Sequence, residues 1–109
     1  MIRFALICSV ALGALAGCSD PTRQVLFDGL PFKGRLSADK DDKRNFVATA
    51  APVSQSLEGA REAARFEGTS YCVRKYGRSD IEWAASPDAE ATALNIVDDV
   101  LTVQGRCSE

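Results

Sequence analysis

The chain has 109 residues, 13 basic and 15 acidic, a net charge of −2, and no histidine. The missing imidazole excludes Ser-His-Asp triads and the usual neutral-pH general base. Near-balanced charge, with no run of Lys or Arg, argues against nucleic acid as a partner.

Met1 to Arg3 is a short basic head, and Phe4 to Ala16 follows as thirteen residues without a charge. A helix of that length reaches roughly 20 Å, short of the ~30 Å hydrocarbon core of a bilayer. The run is apolar all round, so it has no polar face to turn to water and does not suit a core helix. A basic head, a short apolar stretch and small residues at its end make a secretory signal.

Leu15-Ala16-Gly17-Cys18 closes that stretch. It resembles the lipobox of bacterial lipoproteins, in which an aliphatic residue and two small ones precede a cysteine. The resemblance covers the first eighteen residues only. It implies that a diacylglycerol joins the Cys18 thiol and that a signal peptidase then removes residues 1–17. The competing reading is an ordinary secreted protein cut nearby, with Cys18 left as a free thiol. In many Gram-negative lipoproteins an aspartate after the lipidated cysteine retains the protein in the inner membrane. Ser19 occupies that position here, so the resemblance implies the outer membrane, with the domain on its periplasmic face.

The expected organisation is a removed signal peptide at 1–17, a polar tether at 18–24 and one small domain at 25–109. Loss of the signal removes Arg3 and leaves twelve basic and fifteen acidic residues, a net charge of −3. Asp28-Gly29 is a candidate tight turn between two strand pieces. Pro31 argues for an edge or a bulge rather than a central strand. From Phe32 the pattern alternates, with Gly34, Leu36 and Ala38 on one face and Lys33, Arg35 and Ser37 on the other. That is a half-buried strand. Asp39 to Lys43 is a solvated turn whose interleaved lysines argue against calcium. Asn45 to Ala51 alternates again, with Phe46, Ala48 and Ala50 on one face, and predicts a second, antiparallel strand.

Pro52 breaks the pattern, and the segment from Ser54 to Gly77 is the most helical of the chain. Ser54 is the expected N-cap. Glu58 with Arg61, and Glu62 with Arg65, are spaced to pair along the helix. Leu57, Ala60, Ala64, Gly68, Tyr71 and Cys72 share one stripe of mostly small residues, suited to close packing on a sheet. Gly77 is a ready C-terminal stop, preceded by Arg74 and Lys75. Tyr76 and Phe66 fall off the stripe, and packing as satellites of the core is the favoured account. Asp80 to Ala85 alternates Ile81, Trp83 and Ala85 and predicts a third strand. The tail holds Leu94 and Ile96, a candidate turn at Asp98-Asp99, then Leu101, Val103, Gly105 and Cys107 on one face.

Cys8 departs with the signal and Cys18 carries lipid, which leaves Cys72 and Cys107. An even pair in an oxidising compartment predicts a disulfide. Two cysteines 35 residues apart without a histidine lack the ligands for zinc. Closing a loop of that length is worth roughly 3–4 kcal/mol in the chain-entropy model. Together these elements predict an α+β fold: an antiparallel sheet of four or five strands, order ββαβ(β), with one long helix on one face.

Ser56 to Ala63, Tyr71-Cys72 and Ser79 to Trp83 are similar to a stretch of small uncharacterised alphaproteobacterial lipoproteins. These residues lie in the segment from Ser56 to Trp83, roughly a quarter of the chain. The likeness implies a lipidated envelope domain and supplies no activity. No nucleophile elbow or phosphate loop occurs, and Asp80 with Glu82 beside Trp83 is more simply surface than a catalytic carboxylate pair. The expectation is a non-catalytic, lipid-anchored envelope protein that binds or scaffolds another envelope component, without catalytic residues, cofactor or metal. Its partners would be membrane lipid through Cys18 and an envelope protein. The alternative is an inhibitor or small-ligand-binding lipoprotein of the periplasm. Lysozyme-inhibitor lipoproteins are small and disulfide-bonded, but mainly barrel-like, and the long helix argues against membership.

Overall fold

The computed structural model describes residues 25–109. The expected signal peptide, Cys18 and the tether through Gln24 lie outside the described residues. The first element is a miniature hairpin, β1 (Leu26–Phe27) and β2 (Leu30–Pro31), turning at Asp28 and Gly29. Both turn residues have positive φ, 57° and 74°. A two-residue hairpin turn of this hand matches the twist of its strands, and Asp-Gly tolerates it. Pro31 sits in this small two-stranded sheet, outside the main one.

The main sheet is antiparallel and has five strands. β3 (Lys33–Ala38) pairs with β4 (Asn45–Ala51), from Lys33 opposite Ala51 to Ala38 opposite Phe46. β4 pairs on its other side with β7 (Val100–Cys107). The far edge of β7 is shared end to end. β5 (Ile81–Ala85) pairs with its last residues, and β6 (Asn95–Val97) with its first. β6 and β7 form a hairpin through Asp98 and Asp99, whose φ of 53° and 67° makes the expected two-residue turn without glycine. Aspartate is among the residues that accept this conformation.

One helix, α1 (Leu57–Tyr76), crosses one face of the sheet. Its N-cap is Ser56, not the expected Ser54: the Ser56 hydroxyl accepts from Gly59 N at 2.9 Å. The reason is a 3₁₀ turn at Val53–Gln55, which delays the helix by two residues. Ser54 uses its hydroxyl on Asp99 Oδ2 instead, at 2.7 Å. Gly77 ends the helix in the left-handed region, φ 77°, with its N–H donating to Val73 O. Glu58 and Arg61 pair as expected, at 3.2 Å. Arg65 instead reaches Asp88, because the loop after β5 packs back over the helix.

The core is built of small residues on the helix and aromatic ones beneath it. Ala60, Ala63, Ala64 and Cys72 are buried against Phe46, Ala48, Ala50, Leu101 and Val103. At one end Phe46 packs edge-on against Trp83 and Tyr71, with centroids 5.7 and 6.0 Å apart. Gly68 on the helix and Gly105 on β7 leave room for those rings: a Cβ on Gly68 would lie 2.7 Å from Phe46 Cε1. Cys72 and Cys107, both buried, form a disulfide with Cα atoms 5.5 Å apart. It joins the last turns of α1 to the last residue of β7.

Candidate functional site

The helix covers one face of the sheet, and the opposite face is open. Strand alternation decides which side chains it presents. Arg35 and Ser37 come from β3, Val47 and Thr49 from β4, Thr102 and Gln104 from β7. All are exposed or half-buried, whereas their sequence neighbours Phe46, Ala48, Leu101 and Val103 are buried. At the end of the sheet away from the β1–β2 hairpin, this face dips into a groove of about 470 Å³. Ser37, Asn45, Val47, Glu82, Gln104 and Arg106 line it. Ala84 shares the outward side of β5 with Glu82 and also lines the groove, next to the slip in register of β5 on β7 between Trp83 and Ala85.

The Asp39–Arg44 turn forms one rim. Asp39 Oδ1 accepts from Asp41 N at 2.9 Å, and Asp42 Oδ1 from Arg44 N at 3.2 Å. Arg106 crosses from β7, donating through Nη1 to Asp42 Oδ2 and through Nη2 to Glu109 Oε2 at 2.9 Å. The hydrogen bond from Arg106, aided by the Arg44 backbone N–H, holds the Asp42 carboxyl below its ordinary range. Asp42 in turn, with Glu109, raises the Arg106 guanidinium. Glu82 sits opposite Arg106 in the ladder. It has no ion pair among the described residues, because Arg106 is engaged on its other side.

Among the described residues, each one singled out in the sequence has a definite place. Cys72 and Cys107 are brought together. Cys18, the expected lipidation site, lies outside the described residues. Asp39, Asp41 and Asp42 are the rim, and Asp42 is an ion-pair partner rather than a purely solvated carboxylate. Asp80 is engaged by Arg78 at 2.8 Å, while Glu82 lines the groove. Tyr71 and Trp83 belong to the core and its border. The Tyr71 hydroxyl donates to Lys43 O, and burial raises its pKa. Tyr76 packs on Tyr71 and carries the Arg44 guanidinium 4.0 Å above its ring. Phe66 lies elsewhere, against Phe27, and is exposed. The two off-stripe aromatics therefore form no common patch.

The groove itself was not legible in the sequence. Its polar residues alternate with core residues on four strands and fall on the solvent side of each. One signal was available: β4 and β7 put Asn45, Val47, Thr49, Thr102 and Gln104 there, with Arg106 as the single charge. The groove as a whole offers hydrogen bonding by amides and hydroxyls, the Arg106 guanidinium, and the carboxylates of Asp39 and Glu82. It contains no nucleophile with a base beside it. No group of three or more metal-ligating side chains is assembled among the described residues. No helix among them is long and apolar enough to cross a membrane. Compared with known proteins, the chain matches no family model, no curated protein and no solved structure.

Proposed function

We propose that this chain is a lipid-anchored, non-catalytic binding module of the cell envelope, which engages its partner through the groove on the open face of the sheet. The lipobox-like Leu15-Ala16-Gly17-Cys18, after an uncharged run of thirteen residues, carries the reading. The Cys72–Cys107 disulfide supports an oxidising compartment. The absence of histidine throughout the chain weighs against catalysis. By the sorting rule for the residue after the lipidated cysteine, Ser19 sends the protein to the outer membrane, with the domain facing the periplasm.

The groove volume of about 470 Å³ falls within the usual ~300–1,000 Å³ of ligand sites. Its openness to one side suits an extended segment of a partner protein or a small polar ligand, so an inhibitor or ligand carrier remains the second reading. A photo-crosslinking residue at Val47 or Gln104, in intact cells, tests the assignment. A discrete adduct is expected from both positions and not from Glu62 on the exposed side of the helix. Equal yields from all three, or none from the groove, would remove the groove from the reading.

A further inference from the structure

Among the described residues six large apolar side chains are exposed; Val73, Ile96 and Val97 lie on the helix and β6, and the other three lie near the point where the described chain begins. Val25 is 55% exposed, Leu26 54% and Phe66 41%. Val25 and Phe66 line one shallow crevice with Phe27, Phe32 and Ala63. Phe27 leans on Phe66 with ring centroids 5.4 Å apart, which joins the start of the hairpin to the helix, while exposed Leu26 alternates to the other side of β1, outside the crevice. Isolated exposed apolar residues are ordinary, but a contiguous group marks a contact surface.

The length of chain outside the described residues says what covers it. Val25 follows Cys18 by seven residues. Fully extended, such a stretch spans about 24 Å. A domain of this size has a radius of gyration of roughly 13 Å and so a comparable or larger diameter. If Cys18 holds lipid, Val25 stays within about 24 Å of the bilayer, so the Val25 side of the domain is the side that can reach it over most orientations. We infer that Val25, Leu26 and Phe66 seat the domain on that bilayer, at the boundary between headgroups and acyl chains of zwitterionic phospholipid. This inference rests on the lipid-anchor reading above.

Charge selects the lipid. Glu67 lines the crevice. Asp28 and Asp99 sit in the turns that flank the 3₁₀ segment at the same end, hydrogen-bonded to Ser56 and Ser54. These carboxylates outnumber Lys33, exposed at the same end, and oppose an anionic surface, so insertion of apolar side chains is the attraction and salt does not screen it. The orientation has a consequence. β3 and β4 run from the hairpin end, at Lys33 and Ala51, to Ala38 and Asn45. The groove lies at that second end, about 20 Å along the strands and away from the bilayer.

The test uses the full acylated chain in vesicles of phosphatidylethanolamine and phosphatidylcholine. A polarity-sensitive dye is placed on Leu26→Cys, or on Gln104→Cys as the groove control; the disulfide and the acyl thioether leave the new cysteine as the single free thiol. The dye at 26 should shift to the blue and be quenched several-fold more by acyl-chain nitroxides than the dye at 104, equally in low and high salt. Combining Leu26→Cys with Val25→Ser and Phe66→Ser, at unchanged circular dichroism, should lose that excess. Protein that floats with the vesicles yet shows equal quenching at 26 and 104 overturns the docking and leaves the anchor reading intact. Protein that carries no acyl group and does not float overturns both. Quenching that needs phosphatidylglycerol or disappears in salt overturns the zwitterionic assignment. A blue shift that grows with protein density, without nitroxide quenching, means that a second copy covers the patch and overturns it too.

Discussion

A methyl group on residue 105 would stand 2.8 Å from Ile81 Cγ2, 2.9 Å from Trp83 Cε3 and 3.0 Å from Phe46 Cζ. Three side chains would have to move together, and none is the loose end of a flexible chain. Gly105→Ala should therefore destabilise the domain by about 1–3 kcal/mol, the usual cost of overpacking a core. Chemical denaturation checks it; a change below a few tenths would mean that the aromatic cluster is loosely held. Asp42 is the residue to watch on the acid side. Its carboxyl is held below the ordinary range by the Arg106 hydrogen bond. A depressed folded-state pKa means that the unfolded chain binds the proton more readily. The contribution is thus present above the normal carboxylate pKa and is lost as pH falls through the folded value. Wild type should melt above Asp42→Asn at neutral pH, and the two curves should converge below about pH 4, where unperturbed Asp begins to titrate. Parallel curves across that range would dismiss the pair as a pH-linked contact.

The start of the helix shows how one hydroxyl serves two elements. Ser56 accepts from Gly59 N and donates to Asp28 Oδ2 at 2.7 Å, so it caps α1 and ties down the β1–β2 turn. Ser56→Ala should cost about 1 kcal/mol, the typical value of an N-cap, and Ser54→Ala distinctly less. Equal effects would show that the 3₁₀ turn, rather than the cap, sets the helix start. Arg61 works between elements in a similar way. It sits largely buried, meets Glu58 at 3.2 Å through Nε without hydrogen-bond geometry, and donates through Nη1 to Pro87 O and Ala89 O at 3.0 and 2.6 Å. Spacing alone shows the Glu58 pair, which on an exposed helix is worth only a few tenths of a kcal/mol. The loop contacts matter more, because Arg61→Ala leaves two carbonyls without their donor. We expect a loss of about 1–3 kcal/mol from charged hydrogen bonds of this kind, with faster hydrogen exchange concentrated in 86–90.

For the molecule as a whole, the disulfide is the largest single constraint. Cys72 and Cys107 are 35 residues apart and join the helix to the final strand. The enclosed loop of this length is worth roughly 3–4 kcal/mol by the chain-entropy model. At about 4–8 °C per kcal/mol for a domain of this size, the Cys72→Ala, Cys107→Ala double variant should melt roughly 15–30 °C lower. A fall of only a few degrees would mean that the small core suffices without the bridge. The proposed anchor acts on the same scale. Cys18→Ala should abolish labelling by a palmitate analogue and release the protein from the membrane or leave it as precursor. Unchanged labelling and fractionation would refute the lipobox reading.

The sequence by itself determined the alternation of β3, β4 and β7, the long helix and the turns at Asp28-Gly29 and Asp98-Asp99. Each rests on a local period or on local backbone sterics, so each is written within a few residues. The disulfide was legible because the elements carrying Cys72 and Cys107 each bury one face, and the two buried faces must meet. Tertiary structure alone decided the rest. That β5 and β6 share one edge of β7, that Arg65 leaves Glu62 for Asp88, and that the helix waits for Ser56 all depend on contacts between distant segments. The groove belongs to this second class. Its walls come from β3, β4, β5 and β7, and only the pairing of these distant strands in one sheet brings them together. A polar side chain facing away from a core looks the same in sequence whether it faces open water or a concave surface, because alternation records only which side is buried.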